Sequence, residues 1–145
     1  MVNINIKLLD KSINIPKYAH GGDAGLDLYS RIDLILKPFA RSKIPTGIQI
    51  AIPSGYAGFV QPKSGLAIKN GIALVNSPGL IDSGFRGEIC AILINLDKEK
   101  EFKINKGDKI CQLVIQKVEK AGISIVKELD ATSRGEGGFG STGKY

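Results

Sequence analysis

The sequence has 145 residues, the size of one ordinary domain, and leaves little room for a second. Hydrophobic residues make up 43% of the chain and charged residues 23%, so disorder, collagen-like repeats and coiled coils are poor interpretations. Twenty Lys and Arg residues against 14 Asp and Glu residues give a net charge of +6, which favours anionic partners such as nucleotides or nucleic acids.

The chain is predicted to fold into many short strands. Apolar residues recur at every second position along 2–8, 32–36 and 48–52, which is the period of a half-buried strand. Further β-rich segments bounded by Gly, Pro, Asn or Asp are 56–61, 72–75, 89–96, 102–104, 109–118 and 123–129. Glycines interrupt any helix between residues 47 and 87, where at most 66–70 forms one turn. The predicted class is all-β, as an antiparallel sandwich, jelly roll or barrel.

The cysteines and the termini indicate the environment of the protein. Cys90 and Cys111 lie in apolar runs and are interpreted as free core thiols, with a disulfide between them as the alternative. No Cys-His spacing suggests zinc. The N-terminus lacks a basic stretch followed by an apolar core, so a cytoplasmic location is expected. The longest uncharged stretch, 44–62, contains three prolines and three glycines, which excludes a membrane span.

Carboxylates are the candidate catalytic groups. His20 is the only histidine and lies in a loop-like His-Gly-Gly-Asp sequence, so a general base would have to be Asp or Glu. Asp82 ends an apolar run just before a Ser-Gly turn, and Asp27 lies between apolar neighbours. Each is either a catalytic group or a structural cap. Magnesium carried by substrate phosphates would need only one or two such carboxylates.

Two further segments offer groups for an anionic ligand. The sequence Pro62-Lys-Ser-Gly-Leu-Ala places a cation, a hydroxyl and a glycine at a predicted turn into the short helical segment, which suits a phosphate oxygen. Gln112 interrupts an apolar strand, where its amide could satisfy the core or reach a ligand.

The last segment, 131–145, has five glycines and no apolar period, and by itself it should be mobile. Its partial matches to the dinucleotide and P-loop patterns are accidental, because no helix can follow them so close to the end. The segment still carries a guanidinium, an aromatic ring and hydroxyls. It could therefore close over a nucleotide, or be an ordinary flexible terminus.

Taken in order, five segments resemble the five motifs of the trimeric dUTP pyrophosphatase (dUTPase) family. They are Ala24-Gly-Leu-Asp-Leu, Pro62-Lys-Ser-Gly-Leu-Ala, Gly79-Leu-Ile-Asp-Ser-Gly-Phe-Arg-Gly-Glu, Gly107-Asp-Lys-Ile-Cys-Gln-Leu and Arg134-Gly-Glu-Gly-Gly-Phe-Gly-Ser-Thr-Gly. The resemblance implies a jelly-roll-like subunit, with a core over 1–130 and a tail over 131–145 that closes over the nucleotide. It further implies a homotrimer with active sites at the subunit interfaces, no stable binding of nucleic acid and no membrane association.

The same resemblance implies hydrolysis of dUTP to dUMP and pyrophosphate with Mg²⁺, which keeps uracil out of DNA and supplies dUMP for thymidylate synthesis. Asp82 would activate the water that attacks the α-phosphorus. Asp27 would help to hold the hydrated Mg²⁺ that the triphosphate itself chelates. The residues implied to contact the phosphates in the second and fourth motifs are Lys63, Ser64, Gly65 and Gln112.

Base and sugar recognition are implied for the third motif. A hairpin over 76–81 would recognise uracil and exclude the methyl group of thymine, through Asn76, Gly79, Leu80 and Ile81. Phe85 would pack beneath the deoxyribose, and Arg86 would support the site. From the tail, the residues implied to reach the terminal phosphates or the uracil ring are Arg134, Phe139, Gly140, Ser141 and Thr142.

The sequence departs from the family pattern at two positions. Lys63 stands where the family usually has Arg, which replaces a two-pronged contact with a point charge. Phe85 stands where Tyr is common, so the stacking face is kept and the hydroxyl is lost.

Three other functions are the alternatives. They are a dCTP deaminase of the same superfamily, a catalytically silent nucleotide-binding jelly roll, and a basic β-barrel for single-stranded nucleic acid. The barrel would need several aromatic side chains on one face, whereas this chain has only five Phe and four Tyr, which are scattered.

Overall fold

The computed structural model of the protein describes residues 2–138, in which ten strands and one short helix form. These elements are β1 (Asn5–Leu8), β2 (Gly25–Tyr29), β3 (Leu34–Leu36), β4 (Arg41–Ala51), β5 (Tyr56–Gln61), α1 (Ser64–Asn70), β6 (Ile72–Leu74), β7 (Gly79–Ile81), β8 (Glu88–Asn95), β9 (Phe102–Ile104) and β10 (Lys109–Lys117). Within the described part of the chain, no helix has the length and apolar character needed to cross a bilayer.

The strands form two four-stranded sheets and one ribbon, and every pair is antiparallel. One sheet has the order β1-β4-β8-β6, the other has the order β2-β10-β5-β7, and β3 pairs with β9. Neighbouring strands in both sheets are distant in sequence, so each sheet depends on hydrogen bonds between strands that are far apart along the chain. The predicted all-β antiparallel class is confirmed.

The core is formed by the inner faces of the two large sheets. Along β8, Ile89, Ala91 and Leu93 are buried, while the residues between them are half-buried. They join Leu28 of β2 and Leu113 of β10 in one apolar cluster. This alternation is the strand period predicted for 89–96, and the burial of these side chains is the main term that favours folding.

The short helix differs slightly from its prediction. It begins at Ser64 rather than at residue 66, with Lys63 in an extended conformation at its N-cap. It ends at Gly71, whose φ of 65° places it in the left-handed region, where its N–H donates to the carbonyls of Ala67 and Leu66. A residue with a side chain is strained in that conformation, so the glycine ends the helix there.

One strand prediction is wrong for the isolated chain. Residues 123–129 form no strand, and Ile123 and Ile125 are 92% and 99% exposed. A strand needs a hydrogen-bonded neighbour, and these residues have none in the three sheets of the described chain. Two strands, β2 and β7, were not predicted, because β2 carries a glycine and a buried aspartate and β7 has only three residues.

Both cysteines are free thiols, as predicted. Cys111 is buried in the core, and this burial raises the pKa of its thiol to about 12. Cys90 is only half-buried on the outward side of β8, so its placement in the core was wrong.

Candidate functional site

A row of polar side chains crosses the outer face of the second sheet. Asp27 on β2 lies directly opposite Gln112 on β10, and Gln112 lies opposite Gln61 on β5. The residues on either side of Gln112, Cys111 and Leu113, point into the core and are almost completely buried. Because side chains alternate between the faces of a sheet, the polar row is turned away from the core.

This row borders a cavity of about 320 Å³. Its lining residues are Ala19, Asp23, Ala24, Gly25, Asp27, Lys63, Gln112 and Val114. The cavity thus brings together predicted site residues from the first, second and fourth motifs. Ser64 and Gly65 follow Lys63 directly at the start of α1, and both are exposed.

Asp27 carries a buried negative charge at the edge of the cavity. It is 6% exposed, and each of its carboxylate oxygens is bound by a different lysine. Lys63 Nζ lies 2.5 Å from Oδ1, and Lys109 Nζ lies 2.7 Å from Oδ2. Burial raises the pKa of Asp27, but the hydrogen bonds and charges of Lys109 and Lys63 outweigh it, so the pKa is lowered overall. The carboxylate is therefore ionised at neutral pH.

Lys109 is a member of this group that the sequence did not reveal. The register of β10 against β2 shifts between Lys109, which pairs with Tyr29, and Cys111, which pairs with Leu28. This bulge adds one residue, so Lys109 and Gln112 lie on the same face although they are three positions apart. The only signal in the sequence is the apolar pair Ile110-Cys111, which breaks the alternation of the strand.

The position of the Gln112 amide depends on one hydrogen bond and on a neighbouring glycine. Its Nε2 donates to the Pro62 carbonyl at 3.1 Å. A Cβ added to Gly25 would lie 2.7 Å from Gln112 Oε1, which is closer than van der Waals contact allows. Gly25 therefore provides the space in which the amide lies.

If dUTP is the substrate, as the resemblance implies, we expect Gly25→Ala to displace the Gln112 amide and to lower kcat/KM by roughly tenfold to a hundredfold, since small misplacements at a reaction site are costly. The melting temperature should change little, because the one contact shorter than 3.0 Å is with Oε1 at the end of a flexible side chain. Steady-state kinetics and thermal unfolding measure both effects. Gly122→Ala, where an added Cβ meets nothing within 4 Å, is the control. Equal kinetics for the two variants would show that this space is not needed.

Asp82 lies in a different part of the same sheet. It follows β7 and is exposed at a turn in which the Phe85 N–H donates to the Asp82 carbonyl at 3.0 Å. A second cavity, of about 510 Å³, is lined there by Ser54, Gly55, Tyr56, Ala57, Asp82, Ser83, Val118 and Lys120. The turn predicted after Asp82 is thus present, and the Asp82 side chain is exposed there.

Arg86 and Gly87 fix the geometry of this turn. Arg86 Nη1 donates to the carbonyls of Ser83 and Phe85, each at 2.7 Å. The Phe85 ring lies against Gly87, where an added Cβ would be 2.6 Å from the ring atom Cζ. These contacts agree with a supporting role for Arg86, and they make the position of Phe85 depend on the residue at 87.

Gly87→Ala should push the Phe85 ring aside. If Phe85 packs beneath the sugar, we expect KM for dUTP to rise about tenfold and the preference for dUTP over UTP to fall, as a contact that distinguishes the two sugars is lost. Comparing kcat/KM for the two nucleotides tests this. The control is Gly84→Ala in the same turn, where an added Cβ meets nothing within 4 Å. An unchanged preference in Gly87→Ala would separate Phe85 from sugar recognition.

The segment assigned to uracil recognition links the two large sheets. β6 lies at the edge of the first sheet and β7 at the edge of the second, so residues 76–81 do not form the paired hairpin that was predicted. Gly79 is buried, Leu80 and Asn76 are exposed, and Ile81 is half-buried. A Cβ on Gly79 would lie 3.4 Å from Asn76 Nδ2. The amide of Asn76 is therefore close to the backbone of β7.

The tail is described only in part. Arg134 is exposed, and its Nε donates to the Gly137 carbonyl at 2.8 Å, within the tail itself. The predicted site residues Phe139, Gly140, Ser141 and Thr142 lie outside the described residues.

Within one chain, the two groups of site residues are separated. Ile81, just before Asp82, pairs with Gly58, which in turn pairs with Ile115, whereas the polar row lies at the level of Gln112. Strands rise about 3.3 Å per residue, so Asp82 lies roughly 13 Å further along the sheet than the polar row. The two cavities share no lining residue. The chain by itself does not bring Asp82 together with Asp27, Lys63 and Gln112.

Comparisons with known proteins agree with these motifs. The family model described as dUTPase matches residues 11–143. The chain is 53% identical over 141 residues to the deoxyuridine 5'-triphosphate nucleotidohydrolase of Corynebacterium glutamicum, covering 97% of this chain and 95% of that protein.

Two solved structures share the fold. One is a mutant dUTPase of Staphylococcus bacteriophage 80alpha with dUpNHpp, with a TM-score of 0.89, 27% identity and coverage of 97% of this chain and 98% of that one. The other is a mutant dUTPase from phage phi11 of S. aureus, described for its coordination of a structural Mg(II) ion. It has a TM-score of 0.82 and 25% identity, and covers 89% of this chain and 99% of that one. These likenesses confirm the jelly-roll-like fold.

Proposed function

The chain belongs to the dUTPase family, and from this premise we propose that it catalyses the attack of water on the α-phosphorus of dUTP. The new bond joins the water oxygen to the α-phosphorus. The bond from that phosphorus to the oxygen that bridges to the β-phosphorus breaks, leaving dUMP and releasing pyrophosphate. In the cell this would keep uracil out of DNA and supply dUMP for thymidylate synthesis.

The observation that carries the proposal is the group around Asp27. Lys63 and the Gln112 amide line one open cavity, and the Ser64 hydroxyl follows at the adjoining helix start. A triphosphate is a polyanion that a lysine, an amide and a hydroxyl can bind by charge-assisted hydrogen bonds. Fixed donors of this kind stabilise the charge that develops on a transferring phosphoryl group. We therefore assign this cavity to the phosphate chain.

We assign the role of general base to Asp82. Its carboxylate is exposed at a turn held by Arg86, so it can accept a proton from water without a large rearrangement. Hydrolysis of a polyanion requires charge and positioning more than a covalent intermediate, and no histidine is among the residues that line either cavity. The proton would pass from the attacking water to Asp82 as the new bond forms.

The residues of the Asp27 cavity fit a magnesium ion that the substrate carries. Mg²⁺ is usually held by one or two carboxylates together with substrate phosphates, and Asp23 and Asp27 both line this cavity. No group of three His, Cys, Asp or Glu residues is placed to bind a metal among residues 2–138. We propose that the phosphates hold the ion and that Asp27 contacts its water ligands. When bound, the ion neutralises charge on the phosphates.

We propose that the active enzyme is a homotrimer with shared sites. Two features support assembly. Asp82 and the Asp27 cavity are too far apart in one chain to serve one reaction centre, so a second copy would have to supply one of them. In addition, the segment 123–129 exposes Ile123, Ile125, Val126 and Leu129, which a neighbouring subunit could cover.

Light scattering should therefore give the mass of three chains. The double variant Ile123→Ser/Ile125→Ser should form dimers or monomers, because the exposed apolar area that we place in the interface is lost. Circular dichroism should be unchanged, since neither side chain packs in the core. Ile35→Ser, at another exposed apolar position, is the control. An unchanged mass would exclude this segment from the interface.

The activity is tested by incubating the purified protein with dUTP, dCTP, dTTP and UTP in Mg²⁺ and identifying the products. We expect dUMP and pyrophosphate from dUTP and little product from the others. Ammonia released from dCTP would instead support the deaminase alternative. Binding of dUTP without any product would support a silent nucleotide-binding protein.

A further inference from the structure

The bulge in β10 places a second lysine on a carboxylate that already has one. A single negative charge on Asp27 is matched by Lys63 and Lys109, which approach different oxygens. One lysine is enough to neutralise the carboxylate. A bulge that re-aims a side chain beside a site is usually a retained feature rather than a defect, so the extra cation needs an explanation.

The two lysines differ in what they can reach. Lys63 lines the cavity assigned to the phosphates, whereas Lys109 is not among the residues that line it. A phosphate entering the cavity would meet Lys63 and compete with Asp27 for its ammonium group. Asp27 is buried, and a buried charge that loses its only partner is strongly destabilised. Lys63 can leave Asp27 without this penalty only if another cation stays behind.

We propose that Lys109 is a positioning residue that remains the counter-ion of Asp27 and so releases Lys63 to bind substrate phosphate. This inference rests on the proposed function. Before binding, Asp27 is shared by both lysines. After binding, Lys63 pairs with phosphate and Lys109 with Asp27, so no buried charge is left unpaired at either stage. Lys109 thus acts on the phosphate through Lys63 rather than by contact.

The proposal predicts that Lys63 and Lys109 are not independent. Without Lys109, Lys63 would be retained by Asp27, so the phosphate would lose its contact with Lys63 although that residue is present. Removing both lysines should then cost little more than removing one. Removing Asp27 should free Lys63 again and make Lys109 unnecessary.

The test measures binding of a non-hydrolysable α,β-imido analogue of dUTP to the intact protein by calorimetry, with EDTA to exclude metal. We expect Lys63→Met, Lys109→Met and the double variant each to weaken binding about tenfold, as loss of one charged hydrogen bond would. Lys109→Arg and the double variant Asp27→Asn/Lys109→Met should bind within about threefold of wild type. Lys103→Met, which removes an exposed lysine elsewhere, should have no effect beyond about threefold and controls for net charge.

Either of two results in the variants that change only lysines would overturn the proposal. A loss of about a hundredfold in the Lys63→Met/Lys109→Met double variant would show that the lysines contact phosphate independently. A loss in Lys103→Met equal to that in Lys109→Met would reduce the effect to net charge. If Lys109→Met does not fold, Asp27→Asn/Lys109→Met is compared with Asp27→Asn alone. Equal affinities of these two variants for the analogue support the proposal, and a further tenfold loss of affinity in Asp27→Asn/Lys109→Met contradicts it.

The same measurements separate this inference from the proposed function. If wild type binds the analogue and hydrolyses dUTP but the lysine variants behave independently, only the role of Lys109 is overturned. A wild-type protein that neither binds the analogue nor hydrolyses dUTP overturns both.

Discussion

The Asp82→Asn variant should lose nearly all hydrolysis of dUTP while it still binds the nucleotide. The amide has almost the shape of the carboxylate but cannot accept a proton from water. Loss of a general base lowers rates by roughly 10² to 10⁴, so we expect kcat to fall within that range. Affinity for a non-hydrolysable dUTP analogue should stay within about tenfold of wild type, because the phosphate contacts are assigned to another group of residues. Pyrophosphate release and calorimetry measure the two quantities.

The turn that carries Asp82 should survive the substitution, since its hydrogen bonds use backbone carbonyls and the Arg86 side chain. The matched control is Asp130→Asn, which neutralises an exposed aspartate in the segment after β10. Its kcat should equal that of wild type. Turnover of Asp82→Asn at nearly the wild-type rate would remove Asp82 from the mechanism and direct attention to the Asp27 cavity for the base.

Strands with a local signal were predictable from the sequence. The alternation along 89–96 matches β8 to within one residue at each end, and the run from 109 to 118 matches β10 to within one residue. In both, the period of apolar residues follows directly from which face meets the core. Asp82 and Gln112 could be singled out as candidate site residues for a similar reason, because a polar group inside or at the end of an apolar run is conspicuous.

Features that depend on pairing were not predictable in the same way. The position of Lys109 beside Asp27 follows from a bulge between β10 and β2, and no local rule indicates an extra residue there. The distance between Asp82 and the Asp27 cavity depends on the register of β7, β5 and β10, which are far apart in sequence. The failure at 123–129 has a related origin, because its period is that of a strand while no strand of the described residues pairs with it.

Deleting residues 134–145 should lower kcat strongly with little change in melting temperature. Arg134 and its neighbours up to residue 138 lie outside the apolar core, and the Arg134 side chain bonds only within the tail among the contacts described. Their removal therefore leaves the packing of the sheets intact. If the tail closes over the triphosphate, as the family resemblance implies, its loss removes a cation from the terminal phosphates and opens the site to water. Rate and melting temperature should thus respond very differently, and a truncated enzyme with full kcat would exclude a closing role.

The truncated chain also tests whether the sites are shared. Mixed with the Asp82→Asn chain and allowed to co-assemble, it should restore activity, although each chain alone is nearly inactive. A site regains function only where the truncated chain supplies Asp82 and the Asp82→Asn chain supplies the tail. With equal random mixing about a quarter of the sites meet this condition if the two elements come from different subunits. If one subunit supplies both, no site is repaired. Activity that stays at the level of the separate chains, with co-assembly verified by native mass spectrometry, would show that Asp82 and the tail of a site belong to one subunit.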